Sequence, residues 1–278
     1  MKIALSAETT VDLTKEIINN VGVNIIPFSI QLGDKSGFDG EITADEIIAY
    51  VNETGVLPKT SSVNEYSYDE HFENLLKEYD AVVHFSLSSD LSLACSNAKR
   101  SASKFKNVFV VDSRSLSTGI ALLVLYAKKL IDCGLKAEEV YNKCVERTTN
   151  VQASFVLNRL DYLHKGGRCS SVALLGANLL KIRPQIIVKD GRMISGKKYR
   201  GSFEHVVKNY CNDLFETYSN CDYENVFLTY TTAEPALIEN VKNYLLDKGF
   251  ENVYITRAGG TITSHCGENC LGVLFMNK

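Results

Sequence analysis

The sequence alternates short apolar runs with amphipathic segments that are long enough to form helices. Runs rich in Val, Ile and Phe are the candidate strands of the first half: residues 2–6, 23–31, 80–87 and 108–111. Strands separated by helix-length segments favour parallel pairing, because a parallel pair needs a long crossover connection. The first half, residues 1–150, is therefore predicted to be an α/β domain with a parallel sheet.

The second half is richer in strands than in helices. Candidate strands cover residues 154–158, 185–189, 192–195, 225–229, 253–256 and 272–276, and candidate helices cover residues 202–218 and 234–248. This pattern predicts an α+β domain, residues 151–278, whose sheet is covered mostly on one face. A chain of 278 residues with 45% hydrophobic content is long enough for two cores.

Charge and hydrophobic pattern exclude several classes of partner. A net charge of −3 and a pI near 6.0 argue against general nucleic-acid binding. The longest strongly apolar run, residues 119–127, is shorter than the ~18 residues of a membrane span, so no stable membrane insertion is expected. The start of the chain lacks the apolar region of a signal peptide, and the scattered cysteines do not resemble a secreted disulfide framework. We therefore expect a cytoplasmic protein.

Two motifs that suggest cofactor chemistry have simpler interpretations. Residues 191–198, GRMISGKK, nearly match a phosphate-binding loop, but Lys198 stands where a hydroxyl should bind magnesium. Asp190–Gly191 between two apolar runs instead predicts a two-residue hairpin turn. His265 and two nearby cysteines lack the further pair of ligands that would complete a tetrahedral zinc site. We expect no metal, no cofactor and no ATP binding by this chain alone.

Hydroxyl-rich loops are the strongest candidates for a ligand site. Residues 58–62 read PKTSS, and residues 86–92, SLSSDLS, follow a predicted strand and precede a helix. Such serines and threonines often only cap helices. Together, the two loops fit an anion site better, because hydroxyl donors and a helix N-terminus can receive a carboxylate or a phosphate.

The segment at residues 160–185 joins the two predicted domains. In it, Gly166–Gly167 predict a turn, Arg168 follows, and residues 172–180 form an apolar run that is either the wall of a ligand cavity or plain core. Between Arg159 and Lys208 there are 11 Lys and Arg against 3 Asp and Glu, on an otherwise acidic chain. This basic segment is either a solvated surface or a surface that steers an acidic partner.

The ordered set of motifs resembles the DegV family of bacterial fatty-acid-binding proteins, which includes the binding subunits of fatty acid kinase. The resemblance covers nearly the whole chain, although no single motif is specific. Its landmarks are residues 8–13 (ETTVDL), 38–40 (FDG), 58–62, 88–92, 111–113 (VDS), 163–168, 180–184 and 200–201, and His265 with Gly267 and Gly272.

The resemblance implies a non-catalytic protein that buries a long-chain fatty acid between its two domains. In the family a threonine of the Pro-x-Thr-Ser loop and a serine of the Ser-Ser-x-Leu-Ser loop bind the carboxylate. These match Thr60, with Ser61 beside it, and Ser92. His265 and Arg168 are implied neighbours of the head group. Arg200 is the implied docking contact for a partner fatty acid kinase, which would supply the ATP site.

Several positions depart from the family pattern. Glu8 stands where the family usually has Asp, Lys59 precedes Thr60, Leu93–Ala94 replaces Gly-Thr, and residues 267–269 replace Gly-Pro-Gly. The larger side chain of Leu93 narrows the space beside the implied head group. A different acyl ligand is therefore an open alternative.

Two other functions also remain open at this point. Ser92 as nucleophile with His265 as base would make a serine acyl hydrolase or acyltransferase, although no GxSxG elbow is present. His265 is expected in a glycine-containing loop before the last strand, where a lone histidine is more often structural. The third possibility is a binder of another small anionic metabolite.

Overall fold

Strands and helices follow one another closely along the chain. The computed structural model describes residues 1–169 and 182–278. In chain order the strands are β1 (Ile3–Glu8), β2 (Val23–Ile26), β3 (Ser29–Leu32), β4 (Lys35–Phe38), β5 (Lys59–Ser61), β6 (Ala81–Ser86), β7 (Val108–Asp112), β8 (Val151–Leu157), β9 (Arg183–Lys189), β10 (Arg192–Tyr199), β11 (Cys221–Tyr230), β12 (Asn252–Arg257) and β13 (Cys270–Asn277). The α-helices are α1 (Lys15–Val21), α2 (Ala44–Thr54), α3 (Glu65–Leu76), α4 (Ala94–Ala102), α5 (Thr118–Asp132), α6 (Ala137–Arg147), α7 (Asp161–Gly166), α8 (Phe203–Thr217), α9 (Pro235–Asp247) and α10 (Gly260–Cys266).

A parallel sheet forms the centre of the first half. Its strand order is β2-β1-β6-β7, and each neighbouring pair is parallel. Every residue of β6 is buried, as expected for a strand that is covered on both faces. The predicted parallel α/β sheet is confirmed, and its strand β6 ends at Ser86, where the hydroxyl-rich loop at residues 86–92 begins.

A larger mixed sheet forms the second half, with the order β10-β9-β8-β13-β11-β12. It contains all six strands predicted from the sequence. Helices α8 and α9 cover one face, where Val206, Tyr210 and Val241 are buried. The central strands β8, β13 and β11 pack on their opposite face against α5 from the first half. The helices of the second half thus cover one face of the sheet, as predicted, and the first half covers the centre of the other.

A small sheet in the order β4-β3-β5 was not predicted. The prediction of one strand over residues 23–31 is wrong, because β2 ends at Ile26 and β3 begins at Ser29. Pro27 between them cannot donate a backbone hydrogen bond, so one continuous ladder cannot form there. β3 then pairs with β5 and aligns Ile30 with Thr60. The separate sheet therefore determines where Thr60 lies.

The predicted hairpin between β9 and β10 is confirmed. Lys189 pairs with Arg192, and the two turn residues have positive φ angles, 51° at Asp190 and 81° at Gly191. Positive φ at both central positions is the type I′ geometry that suits antiparallel hairpins. Residues 191–198, which nearly match a phosphate loop, thus belong to the hairpin turn and to β10, an edge strand of the sheet. They do not have the strand–loop–helix arrangement of a phosphate loop.

One apolar cluster joins the two halves. It includes Leu5, Phe85 and Ile120 from the first half and Phe155 and Leu274 from the second. The two sheets are therefore packed together through α5, and a domain boundary at residue 150 remains a prediction. The apolar run at residues 172–180 lies outside the described residues. Within the described ranges, no helix has the length and apolar character to cross a membrane.

Candidate ligand-binding site

A cavity of about 310 Å³ lies where the loops of both halves meet. This volume is at the lower end of the range for small-molecule sites. Its apolar wall comes from loops, helices and a strand of both halves and includes Phe28, Leu87, Leu91, Leu116, Leu163, Met193 and Ile262. Its polar side chains are Thr60, Ser61, Ser62, Ser92, Arg168, Thr261 and His265. The cavity thus combines an extended apolar wall with a group of hydrogen-bonding side chains.

Thr60 and His265 form the central polar contact of the cavity. The Thr60 hydroxyl oxygen lies 2.9 Å from Nε2 of His265. Thr60 lies on β5 and His265 lies on α10, so the prediction of a loop at His265 is wrong. Gly260 permits α10 to pack closely against Ile30 and Ile42. A Cβ atom on Gly260 would lie 2.5 Å from Ile30 Cδ1 and 2.9 Å from the Ile42 carbonyl oxygen.

Two buried carboxyl groups fix the start of α10. Asp39 accepts hydrogen bonds from the backbone N–H of Gly260, at 2.7 Å, and of Thr261, at 3.0 Å. Asp12 accepts one from Gly259, at 2.8 Å, and another from the Ser117 hydroxyl. Acceptors at the N-terminus of a helix satisfy its free N–H groups. These acids therefore orient the helix that carries His265.

Asp12 and Asp39 were not identified as site residues from the sequence. Both aspartates appear in the sequence analysis only within family landmarks, Asp12 in residues 8–13 and Asp39 in residues 38–40. Burial raises the pKa of Asp12 to about 8, against the opposing effect of its hydrogen bonds from Ser117 and Gly259. Asp12 is therefore mostly protonated near neutral pH. The aspartates belong to loops that only the folded chain brings to α10, and a local pattern does not reveal this contact.

His265 is neutral at physiological pH. Burial, followed by the nearby charge of Arg168, lowers the pKa of His265 to about 4. Its Nδ1 atom is buried and has no hydrogen-bond partner in the described part of the chain. A Cβ atom on Gly166 would lie 2.8 Å from Nδ1, so Gly166 permits the close approach of α7.

The tautomer of His265 decides what Thr60 can do. If Nε2 carries the proton, it donates to Thr60, and the Thr60 hydroxyl keeps its own proton to donate to a ligand. If Nε2 accepts, the only hydrogen of Thr60 is used within the protein. An anionic ligand therefore selects the Nε2–H tautomer, because only this tautomer leaves Thr60 as a donor.

The other predicted carboxylate-binding residues lie around the same cavity. The Ser92 oxygen accepts a hydrogen bond from Ala94 N, at 3.1 Å, and so leaves its O–H as a donor. Ser61 follows Thr60 on β5 and is exposed, and Arg168 is also exposed and donates to the Gly166 carbonyl at 2.6 Å. Arg200 does not line the cavity and is exposed just after β10. The structure thus brings all five residues predicted to bind the carboxylate to one cavity and leaves the predicted docking residue Arg200 outside it. The roles of all six residues remain predictions.

The geometry does not support a serine hydrolase. Nε2 of His265 contacts Thr60, and within the described residues Ser92 makes no hydrogen bond with His265. A nucleophilic serine needs its base within hydrogen-bond reach and a third group to orient that base. Here Nδ1 of His265, where such a group would bind, has no partner in residues 1–169 and 182–278.

A buried hydrogen-bond network lies behind the apolar wall and was not predicted. The carboxylate of Glu8, which is fully buried, accepts from Tyr68 at 2.6 Å, Ser86 at 2.7 Å, Leu87 N at 2.9 Å and His84 Nε2 at 3.0 Å. Burial alone would raise the pKa of Glu8, but the interactions with His84, Tyr68 and Ser86, with His84 first, lower it overall. Because Leu87 lines the cavity, Glu8 fixes the backbone of that wall.

Fold and site together define an α/β protein with two large sheets, one small sheet and a ligand-sized cavity between its halves. The family model described as an uncharacterised protein of the DegV family matches residues 2–278, and this chain belongs to the DegV family. A DegV domain-containing protein of Clostridium acetobutylicum is 28% identical, and the match covers 100% of this chain and 99% of the relative.

Two further relatives carry descriptions of their ligand. A protein of Thermotoga maritima named as a fatty acid-binding protein is 28% identical, over 98% of this chain and 96% of its own length. The solved structure of a DegV family protein from Thermus thermophilus, described for its fatty acid binding, has a TM-score of 0.92 and 25% identity and covers 100% of both chains.

Proposed function

We propose that this chain binds a long-chain fatty acid in the cavity between its two halves. The contact of Thr60 with His265, at the polar part of an otherwise apolar cavity, is the observation that carries the proposal. The similarity over the full length to proteins described as fatty-acid-binding supports it.

The carboxylate would lie against Thr60, Ser61 and Ser92, with His265 behind Thr60. A carboxylate that leaves water without hydrogen-bond donors is strongly penalised. The Ser92 hydroxyl proton is available to a ligand, and that of Thr60 is available when His265 donates from Nε2. Arg168, exposed at the same cavity, adds a positive charge that favours the ionised head group.

The tail would follow the apolar wall away from the hydroxyl groups. A separate, smaller cavity of about 30 Å³ lies next to it, and Leu116, Ile262 and Cys266 line both cavities. Its wall includes Phe155 and Leu274 of the larger sheet. Burial of ~14 methylenes at ~0.8 kcal/mol each gives about 11 kcal/mol, which is comparable to association costs of roughly 4 to 15 kcal/mol.

We further propose that the chain acts in the cytoplasm as a non-catalytic partner of a fatty acid kinase. The protein would hide the acyl tail and present the carboxylate for phosphorylation by that kinase. Arg200, exposed after β10 and outside the cavity, would contact the kinase without contacting the lipid. No cofactor of its own is required for this role, since the kinase supplies the nucleotide.

Titration calorimetry of the delipidated protein tests the proposal. Oleate should bind. Methyl oleate, which has the same tail but an uncharged ester in place of the carboxylate, should bind at least tenfold more weakly. Equal affinity for both ligands, or binding of neither, would contradict the proposed head-group site. Stoichiometric labelling of Ser92 by a fluorophosphonate would instead establish the hydrolase alternative.

A further inference from the structure

The tip of the β9–β10 hairpin docks on the loops that border the cavity. Ser88, which is fully buried, donates a hydrogen bond of 2.8 Å to the Gly191 carbonyl, and Arg114 donates to the Asp190 carbonyl. The fit is close: a Cβ atom on Gly191 would lie 2.6 Å from Ser88 Oγ and 2.9 Å from Arg114 Cζ. The first half therefore contains a socket for this turn.

Asp90 forms two ion pairs, one within the socket, with Arg114, and one to the hairpin, with Arg192. One of its carboxylate oxygens lies 2.8 Å from Arg114 Nη1, and the other lies 2.8 Å from Arg192 Nε. Arg114 belongs to the loop after β7, whereas Arg192 is the first residue of β10. The side chain of Asp90 is 19% exposed and that of Arg192 is 74% exposed. Partly exposed ion pairs are weak, so this contact can open and close reversibly.

The hairpin also forms part of the cavity wall. Met193 follows Arg192 on β10, and successive side chains of a strand point to opposite sides. Accordingly, Arg192 reaches Asp90 whereas Met193 is buried and lines the cavity beside Leu91 and Ser92. Asp90 lies in the same loop as these two residues. A hairpin that moves away from Asp90 would carry Met193 away from the cavity.

We propose that Asp90 is a positioning residue that latches the β9–β10 hairpin over the cavity and thereby sets the rate of ligand exchange. This inference rests on the proposed binding of a fatty acid in the cavity. Asp90 does not line the cavity, so its effect on the ligand is indirect. Loss of the latch should speed both entry and exit and leave the equilibrium affinity almost unchanged.

Stopped-flow fluorescence with cis-parinaric acid, a fluorescent fatty acid, tests the latch. Asp90→Asn keeps the shape of the side chain but removes its charge, and it should raise the association and dissociation rate constants together, each by about fivefold. Lys197→Ala is the control: Lys197 lies on the same strand as Arg192, and the variant removes its 2.7 Å ion pair with Asp213 of α8 and should change neither rate. Raising the ionic strength to ~1 M, which shortens the screening length to ~3 Å, should accelerate exchange in the wild type and not in Asp90→Asn.

A second variant and a ligand-free measurement keep the test decisive. If Asp90→Asn folds poorly, Arg192→Gln tests the latch instead. This variant removes the ion pair between Asp90 and Arg192 and should give an intermediate acceleration. Hydrogen exchange of the ligand-free protein should be faster in residues 189–193 of Asp90→Asn than in those of Lys197→Ala. Unchanged hydrogen exchange and ligand exchange rates would overturn the latch, as would a rise in the dissociation rate alone. A wild type that binds no cis-parinaric acid would overturn the proposed function, and the hydrogen exchange comparison would still test the latch.

Discussion

The Thr60 hydroxyl oxygen lies 2.9 Å from Nε2 of His265, although 205 residues separate the two positions in the sequence. Thr60 reaches this point through the small sheet, and His265 reaches it on α10, whose start is fixed by Asp12 and Asp39. A neutral histidine that donates to a threonine leaves that threonine as a donor for an anion. The pair is therefore the chemical centre of the proposed head-group site.

Removal of the Thr60 hydroxyl should weaken fatty acid binding. Thr60→Val keeps the shape of the side chain and should reduce the affinity for oleate by ~1.5–3 kcal/mol, the typical value for a hydrogen bond to a charged group. Thr60→Ser is the matched control and should retain most of the affinity. Titration calorimetry measures both variants. An affinity of Thr60→Val equal to that of the wild type would mean that the carboxylate lies elsewhere.

Much of the fold was predictable because its signals are local. The strands of the larger sheet were recognised from apolar runs, and the Asp190–Gly191 turn was recognised because positive φ angles favour these residue types. The site was predictable only in part. Hydroxyl-rich loops and family landmarks identified Thr60, Ser92 and His265, but they did not reveal that Thr60 contacts His265.

The parts that were missed depend on contacts between distant residues. α10 has two glycines at its start and no side-chain cap of its own, so its sequence resembles a loop. Asp39 supplies the cap from 221 residues away. The burial of Glu8 could not be predicted for a similar reason. Its carboxylate accepts hydrogen bonds from His84 and Tyr68, and both residues lie on other elements. Local sequence patterns do not report such pairings.

The buried carboxylate of Glu8 should be important for stability. Glu8→Gln removes the charge that accepts four hydrogen bonds, and the cost should be at least ~1.5–3 kcal/mol, the typical value for one hydrogen bond to a charged group. Glu65→Gln, which loses partly exposed ion pairs with Arg100 and Lys104, is the control and should change stability little. Urea unfolding at neutral pH measures both variants. Equal stabilities would show that the network around Glu8 contributes no net stability.

Asp12 should make the protein less stable as the pH rises. Its pKa is about 8 in the fold against 3.8 for the ordinary carboxyl group, so between these values the unfolded chain is ionised while the folded chain keeps the proton. Folded stability contributed by this group is complete below pH ~4 and falls towards pH ~8, by at most ~1.4 kcal/mol per pH unit.

Asp12→Asn isolates this effect, because asparagine does not titrate and can still pair with Gly259 and Ser117. The difference in unfolding free energy between the variant and the wild type should move in favour of the variant as the pH rises from ~4 to ~8. Urea unfolding at a series of pH values measures the difference, which cancels the contributions of Glu8 and the histidines. A difference that does not change with pH would show that Asp12 is ionised throughout.

Charge reversal at Arg200 should separate lipid binding from coupling to the kinase. Arg200 is exposed and does not line the cavity, so Arg200→Glu should leave the affinity for oleate unchanged. The rate of acyl phosphate formation with a fatty acid kinase should fall severalfold, because a positive docking contact becomes negative. An unchanged rate would place the docking surface elsewhere, and loss of both properties would indicate misfolding.

Native mass spectrometry of the protein purified from bacteria tests the central claim most directly. The protein should retain one non-covalent ligand with the mass of a long-chain fatty acid, and Thr60→Val should retain less of it. A wild-type protein that is empty as purified and that takes up neither oleate nor palmitate would contradict the proposed function.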